Sequence, residues 1–184
     1  LGAIERACRG ARPNPAHEAI ARLGRERPRV VVLTQNVDGL HRAAGSRDLI
    51  EIHGDVRELR CTRCTWRTRV PDYGGLDLPP RCPGCAALVR PAVVLFGELL
   101  PPEAVSRLDE ELRQGFDAVV SIGTTSVFPY VAAPVLMARS WGAGTVEVNP
   151  GDTRVSDVVD VRLRCGAAAA MEAVLAALRS PDIR

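Results

Sequence analysis

The chain has 184 residues, 46% of them hydrophobic and 25% charged, which is the balance of a globular protein with room for one sizeable core and a small appended module. A net charge of +2 and 4% aromatic residues leave little electrostatic footprint and few stacking platforms, so direct nucleic-acid binding is not expected. No apolar run reaches the roughly 18 residues of a membrane span and no secretory pattern opens the chain, so no membrane partner is expected and the location reads as cytoplasmic.

The first element reads as a helix from Leu1 to Arg9. A chain opening on Leu1 inside a helix leads to the expectation that further sequence precedes it. Arg12-Pro13-Asn14-Pro15 interrupts that helix, and Asn14 is placed to cap a second, from about Pro15 to Arg25, with Ala16, Ala19, Ile20 and Leu23 at helical spacing. A short β-branched run, Val30 to Leu33, then reads as a buried parallel strand, and Leu49 to Ile52 as another. Later come a helix over Pro102 to Gln114, strands at Ala118 to Ile122, Thr145 to Val148 and Val158 to Leu163, and helices over Val131 to Ser140 and Ala167 to Leu178. Val93 to Phe96 is an apolar run that reads as one more core strand. Helices alternating with strands in this way predict an α/β fold with a parallel sheet covered by helices.

The polar residues cluster where such a sheet binds ligands, outside the carboxyl ends of its strands. Gln35, Asn36 and Asp38 follow the first strand, and Gly39 breaks the local geometry. His53 follows the second strand, with Gly54 after it allowing close backbone approach. An imidazole with an ordinary pKa of about 6.5 is a ready general base. The plainer alternative is a strand-terminal histidine bonded to backbone. His17 and His41 read as structural or surface residues. Gly123, Thr124, Thr125 and Ser126 follow the next strand and suit phosphate and ribose groups, and Asn149 follows the one after it.

Between His53 and Pro91 the alternation stops. Cys61 and Cys64, then Cys82 and Cys85, form two CxxC pairs separated by 17 residues, the spacing of a four-cysteine zinc site. Each CxxC turn puts two thiolates on one side of a tight knuckle, and two knuckles complete a tetrahedron. A pair of disulfides is the alternative, and it fits poorly with a cytoplasmic α/β chain. The segment between the knuckles, rich in Pro, Gly and Asp, reads as too polar for a core of its own, so one structural zinc ion is expected to hold it together. Four thiolates leave no open position for a catalytic water. Cys8 and Cys165 fall outside the cluster.

Taken together, Pro13-Asn14 with His17, TQNVDGLH at 34 to 41 with AGS at 44 to 46, IEIHG at 50 to 54, the two CxxC pairs, RPAVVLFGE at 90 to 98, IGTTS at 122 to 126 and VEVNP at 146 to 150 resemble the sirtuins, the NAD-dependent protein lysine deacylases. The resemblance implies a Rossmann-like NAD-binding domain over residues 1–56 and 91–184, with a zinc-binding module over 57–90. It implies that His53 is the catalytic histidine, with Asn36 and Asp38 beside it, and that Gln35, Asn36, Val37 and Asp38 contact the cofactor on the nicotinamide side. Gly123, Thr124, Thr125 and Ser126 would take its phosphates and ribose, Asn149 its adenosine, and Cys165 the adenine rim. His53, Val94, Leu95, Phe96 and Gly97 would meet the acylated lysine of a protein substrate, and Cys61, Cys64, Cys82 and Cys85 would bind zinc. Leu95 stands where the family often has an aromatic residue.

The same resemblance places a first strand and a Gly-rich pyrophosphate loop ahead of Leu1. On that expectation the chain as it stands has an incomplete sheet and would be inactive by itself. Members that remove acidic acyl groups carry a Tyr-x-x-Arg that falls here on Leu1 and Ile4, so a neutral acyl group such as acetyl is expected. Two other outcomes stay open: ADP-ribosyl transfer to protein, and a non-catalytic, zinc-stabilised module that recognises acyl-lysine.

Overall fold

The computed structural model describes residues 2–178, and the part of the sequence reading that rests on Leu1 lies outside them. In chain order the elements are α1 (Gly2–Cys8), α2 (Pro15–Glu26), β1 (Val31–Thr34), α3 (Leu40–Ala44), β2 (Asp48–Glu51), β3 (Gly54–Cys61), β4 (Arg67–Arg69), β5 (Val89–Val93), α4 (Pro102–Gln114), β6 (Ala118–Ile122), α5 (Pro129–Ser140), β7 (Gly144–Val148), β8 (Val161–Leu163) and α6 (Ala167–Ala177). They fall into two compact units, Leu1–Pro13 with Val31–Arg107, and Asn14–Val30 with Leu108–Arg184. Among the described residues no helix is long and apolar enough to cross a membrane.

In the first unit β1 and β2 pair in parallel from Val31↔Asp48 to Thr34↔Glu51, as the β-branched runs predict. The rest of its strands form an antiparallel sheet in the order β4-β3-β5. Val56, Leu59, Cys61, Tyr73, Cys82, Val89 and Val93 are buried together against it, with Trp66, Val70 and Leu76 at the margin. The segment around the cysteines therefore has an apolar core, against the expectation that it was too polar for one. The apolar residues are spread over strands that meet only in the fold, so no single window of sequence displays them.

The second unit holds the parallel sheet β6-β7-β8, in register from Ala118↔Gly144 to Ile122↔Val148 and from Val146↔Val161 to Val148↔Leu163. Asn14 caps α2 by accepting the His17 N–H at 3.2 Å, while His17 Nδ1 accepts the Asn14 N–H at 3.3 Å. His17 is thus a capping residue, in keeping with its structural reading. The buried face of α2, Ala16 and Ala19, packs on Met171 of α6. Small residues there allow close helix approach.

Two strand boundaries differ from expectation. β5 ends at Val93, because the Leu95 N–H is taken by the Glu98 carboxylate at 3.0 Å and the chain turns. β8 begins only at Val161, because Val158 and Val159 both donate to the Val155 carbonyl in a helical turn.

Arg29, just before β1 in sequence, is a fastener of the second unit. Its guanidinium lies 4.0 Å from the centroid of Phe116 and donates to the Gly115 carbonyl at 2.6 Å and to Glu111 at 2.6 Å. An exposed ion pair alone is worth little, but a stacked guanidinium with a carbonyl partner adds to it. Arg29→Ala is expected to cost about 1–2 kcal/mol, and Arg29→Lys about half of that, by urea unfolding. Equal stability of Arg29→Ala and the parent would show that the stack contributes nothing.

Candidate functional site

The residues after β1 and β2 lie within the first unit. Thr34 holds both segments: its carbonyl accepts the Ile52 N–H at 3.0 Å, and its hydroxyl accepts the Asn36 N–H at 3.1 Å. His53 lies two residues past the end of β2, after Ile52, and its carbonyl accepts the Val94 N–H at 2.9 Å, which ties it to the exit of β5. Burial lowers the His53 pKa from the usual histidine value, and a hydrogen bond with the Gln35 backbone acts in the opposite direction. The net result favours a neutral imidazole, which is the form that accepts a proton.

Asp38 is fixed through one carboxylate oxygen, its Oδ1 accepting the Leu40 N–H at 2.9 Å at the start of α3. The turn needs Gly39, which has a φ of +69°. Val37 is anchored through its carbonyl, which accepts the Val56 N–H at 2.9 Å. Gln35, Asn36, Val37 and Asp38 therefore form a short loop braced at Thr34, Val56 and Leu40.

Beyond β5, Val94, Leu95, Phe96 and Gly97 form a bent loop. Arg90 grips the Glu98 carboxylate at 2.5 and 3.1 Å, and this contact with the Leu95 N–H holds the carboxyl down to about 2. Phe96 is fully exposed, so this loop presents an aromatic face to solvent.

In the second unit the residues after β6 form a turn rather than more strand. Gly123 has a φ of +62°, and its N–H donates to the Val148 carbonyl at 2.9 Å. Thr124 Oγ1 accepts the Ser126 N–H at 3.2 Å, and Arg154 donates its N–H to the Thr125 carbonyl at 3.1 Å. Ser126 is buried at a φ of +52°, an unusual conformation for a residue with a side chain. Asn149 braces this turn, donating Nδ2 to the Thr124 carbonyl at 3.0 Å and accepting the Gly151 N–H at 3.0 Å. Cys165 is half-buried before α6, its N–H donating to the Leu163 carbonyl at 2.9 Å.

Glu147 enters the sequence pattern only as part of VEVNP, with no role of its own. It is buried in β7 and accepts Ser156 Oγ at 2.7 Å, Arg162 Nε at 3.1 Å and the Thr153 hydroxyl, which orders the segment after Asn149. A carboxylate between Val146 and Val148 was the available signal, since a charge in a buried strand demands partners.

The four cysteines converge within the first unit. Their sulfurs all lie within 4.8 Å of one another, with Cys61 to Cys85 and Cys64 to Cys82 at 3.5 Å and Cys64 to Cys85 at 3.6 Å. A tetrahedral zinc ion with Zn–S bonds of about 2.3 Å has sulfur–sulfur edges of roughly 3.8 Å, so the set fits that ion. The Arg63 N–H points at Cys61 Sγ at 3.3 Å, the kind of knuckle contact that disperses thiolate charge. None of the six cysteines forms a disulfide, so the structure favours the zinc reading of the two CxxC pairs over the disulfide alternative.

Comparison with known proteins adds an independent line. The model described as the Sir2 family matches residues 3–129. NAD-dependent protein deacylase 2 of Pseudomonas aeruginosa is 50% identical over 171 residues, covering 89% of this chain and 65% of that protein. NAD-dependent protein deacylase 1 of Archaeoglobus fulgidus is 37% identical over 169 residues, covering 92% and 69%. Among solved structures, a Sir2 homolog in complex with NAD superposes with a TM-score of 0.87 at 36% identity, over 94% of this chain and 67% of that one. A Sir2 complex with a p53 peptide and NAD+ has a TM-score of 0.82 at 31% identity, over 93% and 72%. The chain thus spans about two thirds of the length of the relatives it matches.

Proposed function

Because the chain belongs to the Sir2 family, we propose that it serves an NAD-dependent protein lysine deacylase, which moves an acyl group from lysine to ADP-ribose and releases nicotinamide. The observation that carries this reading is His53, placed just past β2 beside the Gln35 backbone, where burial lowers its pKa. NAD would supply the activated ribose carbon, whose bond to nicotinamide is the one that breaks. His53 would accept a ribose hydroxyl proton at a ring nitrogen, and Asn36 and Asp38 would position that ribose with Gln35 and Val37. The turn Gly123, Thr124, Thr125 and Ser126 would take phosphate and ribose, with Asn149 and Cys165 at the adenosine. Val94, Leu95, Phe96 and Gly97 would line up the acyl-lysine of the protein substrate, and the zinc ion would be structural.

In this reading residues 1–56 and 91–184 make the NAD-binding domain, 57–90 the zinc module, and the protein works in the cytoplasm without nucleic-acid or membrane partners. A neutral acyl group is favoured at Ile4, a half-exposed apolar side chain that offers no charge to a carboxylate.

The test uses the protein expressed from its complete reading frame, with NAD and an acetyl-lysine peptide, and mass spectrometry of the products. O-acetyl-ADP-ribose is expected, and His53→Ala is expected to reduce its formation about a thousandfold. ADP-ribose attached to protein with the acetyl group intact would replace this reading by transfer to protein. Peptide binding without turnover would replace it by an acyl-lysine-recognition module.

The pH dependence follows from the sign of the His53 shift. Protonation disables the base, and a lowered pKa moves that event to lower pH. The acidic limb of kcat/KM is therefore expected below about pH 6.5. A limb above that value would assign it to another group.

A further inference from the structure

An ion pair, Asp55 with Arg69, lies against the loop that carries Asn36 and Asp38, and neither residue has an assigned role in the reaction. Asp55 is 1% exposed. Its Oδ1 accepts the Arg57 N–H at 2.8 Å, and its Oδ2 is paired with the Arg69 guanidinium. A side chain at Gly39 would meet that pair, because an added Cβ would sit 3.1 Å from Asp55 Oδ2 and 3.5 Å from Arg69 Nη2. The carboxylate and guanidinium therefore pack directly on the backbone of the Asp38-Gly39 turn.

The next residue continues the grip. Val56 donates its N–H to the Val37 carbonyl at 2.9 Å and accepts the Tyr73 hydroxyl at 2.5 Å. Arg69 and Tyr73 both lie between the two CxxC pairs, Arg69 on β4, where it opposes Glu58. Asp55 is two residues after His53, and Gly39 immediately follows Asp38. One buried carboxylate thus joins the zinc-bearing segment, the histidine segment and the loop of the candidate cofactor residues.

We propose that Asp55 and Arg69 are a positioning pair that holds the Asn36–Gly39 loop in register with His53, so that the cysteine-bearing segment sets the geometry of the cofactor loop. This rests on the deacylase reading for its catalytic consequence, though not for its structural one. A buried carboxylate deprived of its cation must find another partner or be solvated, and either change reaches the loop at Gly39 first. The Val56 to Val37 hydrogen bond then holds the loop alone.

The experiment combines hydrogen exchange with steady-state kinetics on the protein from its complete reading frame, comparing the parent with Arg69→Ala, Arg69→Lys and Asp55→Asn. In Arg69→Ala, amides at 36–41 are expected to exchange about tenfold faster or more, while those at 61–64 and 82–88 are unchanged and one zinc per chain is retained. Its kcat/KM for NAD is expected to fall about 10- to 100-fold, with KM for the acetyl-lysine peptide within about twofold of the parent. Arg69→Lys, which restores a cation to the single oxygen contacted, is expected to recover most of both losses. Asp55→Asn, of the same shape, is the second route if Arg69→Ala does not fold, and is expected to loosen the same amides.

Unchanged exchange at 36–41 would overturn the proposal. So would faster exchange spread evenly with loss of zinc, since the pair would then only stabilise the fold. If the parent makes no acyl-ADP-ribose, the deacylase reading falls, and the exchange pattern still decides whether the pair holds the loop.

Discussion

Replacing Gly54 by alanine is expected to cost about 4 kcal/mol of stability or more, and to disable any chemistry that depends on His53. Two effects add. Gly54 has a φ of +79°, where a residue with a Cβ pays about 1–2 kcal/mol. The added Cβ would also lie 1.9 Å from the Ala92 carbonyl oxygen and 3.0 Å from its carbon. Backbone atoms cannot rotate away as a flexible side chain would. Relief requires β3 and β5 to part where Gly54 opposes Val93 and Asp55 opposes Ala92, next to the bond between Val94 and His53. The control is Gly24→Ala in α2, where nothing lies within 4 Å of an added Cβ. That change is expected to be neutral or to stabilise by up to about 1 kcal/mol. Similar unfolding midpoints in urea for Gly54→Ala and the parent would contradict the close approach of the two strands.

Removing the metal is expected to have the largest effect of all. Structural zinc in finger peptides binds with apparent free energies on the order of 10–16 kcal/mol, and here its ligands are part of the packing. Cys61 and Cys82 are buried in the same cluster as Val56, Leu59, Tyr73, Val89 and Val93. Stripping the ion leaves four thiols crowded within 4.8 Å and takes away what draws the knuckles together. Chelator is therefore expected to release one zinc per chain and to collapse the near-ultraviolet signal of Tyr73 and Trp66, and Cys82→Ser to prevent stoichiometric loading. Acid should act in the same direction, because each ligand must be a thiolate. A chelated protein with an unchanged spectrum would show that the apolar cluster suffices without metal.

The features that could be read from sequence are those in which local chemistry dictates the result. Asn14 before Pro15 set the start of α2, the β-branched runs set β1 and β6, and CxxC spacing set the four-sulfur cluster, because each is decided within a few residues. β3 escaped notice because GDVRELRC mixes charge with its apolar positions, and its core side becomes visible only when β5 lies beside it. The early end of β5 was hidden for a similar reason: Arg90 and Glu98 close the loop across eight positions, which no strand propensity reports. Arg69 sits on a strand of three residues, 14 positions from Asp55, and nothing in either neighbourhood announces that they meet. Residue types were legible at the candidate site, and the pairings that hold them were not.

The turn after β6 has a thermodynamic consequence. Asn149 spends both ends of its amide on the Thr124 carbonyl and the Gly151 N–H, Arg154 secures Thr125, and Ser126 is already in its left-handed conformation. This segment loses its conformational entropy when the protein folds, before any ligand arrives. A molecule settling on residues 123–126 would meet a finished surface, so little of its binding free energy would be offset by the entropy of ordering the loop. Its association would also need no slow loop closure, and calorimetry should then find the binding heat capacity close to that expected from the area covered alone.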